Sequence, residues 1–146
     1  MNSTEKFIPW GPGLLTGITS IDEQHRVLVD MCNEAHELLQ SQSTTESIKR
    51  MVRDLMSYAL YHFETEEELA IRHGYQAGEP EQNTIHRLQH RAFASAVADM
   101  QTEMSRGNGI SVETLFDFLR TWLTQHIQGT DMQLADFLLR HAQPLE

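Results

Sequence analysis

His62 and Glu66 stand one helical turn apart in the stretch ALYHFETEEELA, residues 59 to 70. They fall on a stripe of Ile48, Val52, Leu55, Ala59, His62, Glu66 and Leu69. Steps of three and four along it mark the buried face of an amphipathic helix. Leucine would pack better at both positions. The same oddity recurs along the chain: His25, His86, His90 and His126 each interrupt an apolar stripe, and Asp131 follows His126 by five residues. The pairs His62/Glu66 and His86/His90 have the i,i+4 spacing at which helical side chains converge on one ion. Burying five imidazoles and two carboxylates uncompensated costs several kcal/mol per charged group. Seven such groups could exhaust the ~5–15 kcal/mol by which a domain is stable. Metal coordination compensates them directly.

The ligand types narrow the metal. Imidazole and carboxylate without thiolate suit iron, zinc, copper or nickel better than calcium or magnesium. Seven ligands exceed what one tetrahedral zinc can use. Two octahedral ions sharing bridging carboxylates would use all seven and leave room for a small exogenous ligand. Two irons fit best.

The elements that must position these residues are helical. Residues 1–19 hold Pro9, Gly11, Pro12, Gly13 and Gly17, too many breakers for a regular element, and read as an arm anchored by Phe7, Ile8 and Trp10. Residues 20–146 read as one helical domain. Ser20 to Glu23 has the form of a capping box opening a first helix to about Gln40, with His25, Leu28, Cys32, Ala35 and Leu39 facing in. Ser43 and Glu46 repeat that signal for a second helix ending near Arg72. Gly74 to Glu79 reads as a loop, and Pro80 suits the first turn of a third helix with His86, His90, Phe93, Val97, Met100 and Met104 on its inner face. Gly107 to Gly109 stops it, and Ser111 opens a fourth helix with Val112, Leu115, Leu119, Trp122 and His126 on one side. There is no strand-like alternation and no internal repeat. Four helices on short connections predict an all-α, up-down-up-down antiparallel bundle. On an ideal helix Asp131 would sit about 140° from His126, so a π-type bulge is expected between them, with Gly129 as its place.

The stretches Trp10…Gly17-Ile18…Ile21-Asp22-Glu23-Gln24-His25, His62-Phe63…Glu66-Glu67, His86-x-x-x-His90…Phe93 and Trp122-Leu123-x-x-His126-Ile127-x-x-x-Asp131 resemble the hemerythrins, most of all their bacterial single-domain branch. Hemerythrin relatives are among the known up-down bundles. The resemblance spans about residues 7 to 140 and includes all seven ligand positions in order. It implies that His86, His90 and His126 hold one iron, that His25 and His62 hold the other, and that Glu66 and Asp131 bridge them together with an oxo or hydroxo group. It further implies reversible dioxygen binding at the iron with two histidines, in a dry pocket walled by Leu28, Phe93, Trp122 and Ile127. The chain departs from the family in a longer segment between Glu66 and His86, in the residue after Tyr75, where proline is common, and in Leu134, where many relatives carry tyrosine.

Competing readings are weaker. Glu64 and Glu68 lie about 200° from His62 and Glu66, so they point to solvent while Glu66 faces in. His36 lies about 16 Å along the helix from His25, too far to share its ion. With His73 and His141 it reads as solvated. Met100 and Met104 read as core and Cys32 as a small buried apolar residue.

The 146 residues suffice for one domain with a core, and the net charge of -10 argues against nucleic acid or an anionic membrane as partner. No apolar run reaches the ~20 residues that cross a bilayer. The N-terminus shows no secretory signal and the single cysteine allows no internal disulfide, so a cytoplasmic protein is expected. The helices show no second apolar face, so a monomer is expected. Five histidines against two carboxylates favour a non-enzymatic dioxygen carrier, store or sensor, with an oxygen-consuming enzyme or a signalling protein as its partner, over a di-iron oxidase or peroxidase; an iron-responsive protein is a further alternative. Oxygen-activating bundles usually carry more carboxylate.

Overall fold

In the computed structural model, which describes residues 6–41, 45–107 and 111–141, the chain is helical throughout apart from the arm and short connections. Four long helices pack in a ring: α1 (Thr19–Gln40), α2 (Thr45–Arg72), α4 (Pro80–Ser105) and a fourth made of α5 (Val112–His126), a π-helical turn (Ile127–Asp131) and α6 (Met132–His141). A single helical turn, α3 (Tyr75–Gly78), joins α2 to α4. Contacts run α1–α2, α2–α4, α4–α5 and α5–α1, closing the up-down-up-down bundle. Among the described residues no helix is long and apolar enough to cross a membrane.

The sequence signals at helix ends were of unequal worth. Pro80 takes the first position of α4, and the Ser111 side chain accepts from Thr114 N as the cap of α5. Gly107 carries a left-handed φ of 71° just beyond α4. Ser43, Asn108 and Gly109 lie outside the described residues. The expected Ser20–Glu23 capping box does not form: α1 begins at Thr19 with no side-chain cap. Asp22 does another job. Its Oδ1 accepts from Thr16 N and Thr16 Oγ1, both at 2.8 Å, and its Oδ2 from Gly17 N at 3.1 Å. The carboxylate thus ties the arm across the positive end of the helix.

Gly74 to Glu79 is not a simple loop. Gly74 leaves α2 at φ 87°, a conformation side chains disfavour, and the turn that follows buries Tyr75 edge-on against Phe137 at 5.1 Å. The arm is anchored as its apolar residues suggest. Ile8 is buried, its N–H donating to Asn33 Oδ1 at 2.7 Å and its carbonyl accepting from Asn33 Nδ2 at 3.0 Å. Phe7 and Trp10 pack against the core only partly buried.

The interior is layered. One apolar cluster holds Leu28, Cys32, Val52, Leu55, Phe63, Phe93, Val97, Leu115, Leu119 and Leu123, with Met100 and Met104 packed at its edge. A smaller one holds Ile21, Ala70, Tyr75, Leu134, Phe137 and Leu138. On α1, Ile21 belongs to the small cluster and Leu28 to the large one, and His25 lies between them. On the fourth helix His126 and Asp131 likewise lie between Leu123 of the large cluster and Leu134 of the small one.

Candidate metal centre

Each helix delivers its polar residues by phase. His25 on α1, His62 and Glu66 on α2, His86 and His90 on α4, and His126 and Asp131 at the two ends of the π turn are all buried. All seven residues singled out in the sequence come together, in two overlapping groups: Glu66, His86, His90, His126 and Asp131, and His25, His62, Glu66 and Asp131. Within each group one ligand atom per residue lies within 4.8 Å of the others. The π turn is what makes this possible at His126 and Asp131, since it replaces the α spacing that would have swung the carboxylate away. Gly129 is not its cause, because a Cβ there would meet nothing within 4 Å and its φ is ordinary.

The carboxylates face both ways. Glu66 Oε1 lies 3.3 Å from His86 Nε2 and 3.1 Å from His90 Nε2, whereas its Oε2 lies 3.5 Å from His25 Nε2 and 3.2 Å from His62 Nε2. Asp131 Oδ1 lies 2.7 Å from His86 Nε2 and 3.0 Å from His126 Nε2, whereas its Oδ2 lies 2.8 Å from His25 Nε2. One oxygen of each carboxylate therefore addresses a group of three histidines and the other a group of two. His25 Nε2, His62 Nε2, Glu66 Oε2 and Asp131 Oδ2 are buried without an acceptable hydrogen bond. Those four atoms are the inward atoms of the two-histidine group. Polar atoms left so at the centre of a fold need a partner the protein does not supply, and a cation between them is the partner their chemistry fits.

Electrostatics in the metal-free cluster say the same. Burial disfavours charge on His25 and His86, yet Asp131 and Glu66 carry their pKa values up to about 9 and about 10. At His126 burial prevails and the value falls. Burial would raise the Glu66 carboxyl, but the histidines around it, His62 foremost, hold it well below its ordinary value. Asp131 is likewise held low by His126 and His25 against burial and the Glu66 charge. Without a metal the site is a knot of protons and carboxylates.

Around it stands a set of residues to which the sequence had assigned no role. His62 Nδ1 lies 2.7 Å from Gln24 Oε1, His90 Nδ1 2.9 Å from Glu67 Oε2, and His126 Nδ1 2.8 Å from Gln89 Oε1. Thr130 Oγ1 donates to Gln89 Oε1 at 2.7 Å. These contacts fix the rings with Nε2 inward. Helical phase could have found Gln89 and Glu67, one residue from His90 and Glu66. The acidic run hid Glu67, which is half-buried while Glu64 and Glu68 are exposed. Phe63 was missed as a wall: its ring stacks on His90 at 4.0 Å and packs edge-on against Phe93 and Trp122. Trp122 stacks on His126 at 4.3 Å.

The other histidines stay out of the cluster; His141 is exposed as expected, whereas His36 and His73 are only partly so. His36 is half-buried and stacks on Phe7 at 4.0 Å, with its pKa lowered by burial and by Arg120. His73 is half-buried too, and exposed His141 hydrogen-bonds Phe137 O at 3.0 Å. Cys32 is buried with its thiol pushed up to about 12, an inert packing residue.

An antiparallel four-helix bundle with a buried histidine and carboxylate cluster between its helices defines the class. The model of the hemerythrin HHE cation-binding domain matches residues 16–138. The chain is 32% identical over 132 residues to the bacteriohemerythrin of Stenotrophomonas maltophilia, covering 90% of this chain and 82% of that one. It is 28% identical over 131 residues to the bacteriohemerythrin of Clostridium acetobutylicum, covering 87% and 98%. In fold it is similar to the crystal structure of a hemerythrin leucine mutant, with TM-score 0.79 and 23% identity over 92% of this chain and 98% of that one. The chain belongs to the hemerythrin family.

Proposed function

We propose that this protein binds dioxygen reversibly at a non-haem di-iron centre and serves as a carrier, store or sensor rather than an enzyme. His86, His90 and His126 would hold one iron, His25 and His62 the other, and Glu66 and Asp131 would bridge the pair. The observation that carries this reading is the split of both carboxylates, each with one oxygen on the side of His86, His90 and His126 and the other on the side of His25 and His62. When bound, two ferrous ions supply the pair of electrons that reversible dioxygen binding needs.

The residues of the chain do the rest. Two histidines against three leave the first position one ligand short, which is where a small molecule has room. Phe63, Phe93 and Trp122 wall the three-histidine side, and Leu28 and Ile127 are fully buried within the same layers, so water is kept from the site. Gln24, Glu67 and Gln89 hold the rings from behind so that little reorganisation is needed when ligands change.

The test is an absorption spectrum of anaerobic, ferrous-loaded protein, taken before air, after air and after a nitrogen purge. Visible bands that appear with air, vanish under nitrogen and return on re-exposure are expected. Bands that appear once and persist would overturn carriage in favour of oxidase chemistry.

A further inference from the structure

The partners behind the histidines are chemically unequal. His62 leans on the amide oxygen of Gln24. That orientation is fixed independently: Gln24 Nε2 donates to Thr65 Oγ1 at 3.2 Å, and Thr65 Oγ1 in turn donates to Tyr61 O. His126 leans on the amide oxygen of Gln89. His25 Nδ1 is buried with no partner at all. Only His90, among the hydrogen bonds of these rings, is backed by a carboxylate. A carboxylate can only accept, so His90 Nδ1 carries a proton, and its Nε2, 3.1 Å from Glu66 Oε1, is the nitrogen that would turn its lone pair to a metal ion. A hydrogen bond to an ionised acceptor is roughly twice as strong as a neutral one and pushes electron density onto the far nitrogen. An amide orients a ring; a carboxylate also makes it a better donor.

We propose that Glu67, acting through His90, makes the two metal positions unequal, so that the three-histidine position binds its ion more tightly and favours the higher oxidation state. The inference rests on the reading of the cluster as a two-metal site. Glu67 is a positioning residue, not a ligand. Its second oxygen faces Arg87 Nε at 3.9 Å, and it lies in a groove of about 530 Å³ between α2 and α4, lined also by Leu60, Tyr61 and Arg91. The bundle therefore tolerates an isosteric change there. Gln24 plays the matching role at the two-histidine position with a weaker acceptor.

The discriminating variant is Glu67→Gln, which keeps the shape and an acceptor oxygen but removes the charge. Titrate the metal-free proteins with cobalt(II) alone against a competing chelator. Wild type should bind two ions, one more tightly. Glu67→Gln should weaken the tighter one about 10- to 100-fold and leave the weaker unchanged. Gln24→Glu should tighten the weaker one instead. In the iron-loaded protein, each tenfold preferential loss of ferric affinity in Glu67→Gln should raise the midpoint potential by about 59 mV. Two ions bound by Glu67→Gln with wild-type affinities would overturn the inference and leave the metal site standing. A wild type that binds no pair of ions would overturn both.

Discussion

At the scale of single residues, the site turns on which atoms are shared. His62 serves only the two-histidine group, whereas Glu66 serves both. His62→Ala should therefore retain one tightly held metal ion per chain, while Glu66→Ala should fail to hold a complete pair. Metal analysis after exhaustive dialysis checks this, with His36→Ala as the control expected to keep both ions. Full metal content in both site variants would sink the ligand assignment. Six of the seven inward residues were legible in the sequence because each breaks an apolar stripe at a position that phase assigns to the core; Asp131 lies off phase and was reached through the resemblance to the hemerythrins and the bulge it required. Their outer partners were not legible. Gln24, Glu67 and Gln89 are ordinary polar residues at half-buried positions, and only the packed neighbour shows what they hold. His36 was misjudged for the opposite reason, since Phe7 comes to cover it from the arm, whereas His141 is exposed as expected.

At the scale of elements, the helices were legible from period and Pro80 or Ser111, but the start of α1 was not, because a capping motif cannot show that a carboxylate reaches backward. Asp22 holds three donors of the arm at the head of the helix that carries His25. Asp22→Ala should cost about 1–2 kcal/mol, in the range of a lost cap, seen as a lower melting temperature. An unchanged melt would mean the arm is held by Ile8 and Asn33 alone. The π turn and its place around Gly129 were foreseen from the five-residue step between His126 and Asp131, but the glycine itself is not what produces it. Gly129 has ordinary backbone geometry and open space at Cβ. Gly129→Ala should therefore keep the full metal complement and gain about 0.5–1 kcal/mol, as alanine does for glycine in a helix. Loss of metal in that variant would show that the turn needs glycine after all.

At the scale of the whole molecule, a bundle that places a polar layer between two apolar clusters must settle its charges one way or another, and it has two ways. Without metal, His25 and His86 hold protons up to about pH 9 and about pH 10, above their ordinary value of 6.5. Groups raised in the folded state stabilise it fully below pH 6.5, and that contribution drains away as pH rises toward 9 and 10. Glu66 and Asp131 are held low, so their contribution persists above the ordinary carboxylate range and is lost only as pH falls through it. His126, lowered by burial, costs stability only below its ordinary value of 6.5 and leaves the slope above it unchanged. The metal-free protein should thus melt at progressively lower temperature from pH 6.5 to 9. With metal that slope is cancelled. Ions displace the protons of His25 and His86, so affinity climbs with pH, and a ligand that binds only the folded chain stabilises it in proportion to the logarithm of its concentration over its dissociation constant. Melts of the chelated protein should therefore fall across pH 6.5 to 9 while those of the metal-saturated protein hold nearly level, the two diverging toward alkaline pH. Parallel slopes would mean that the buried layer is settled by its own hydrogen bonds and that no ion replaces its protons.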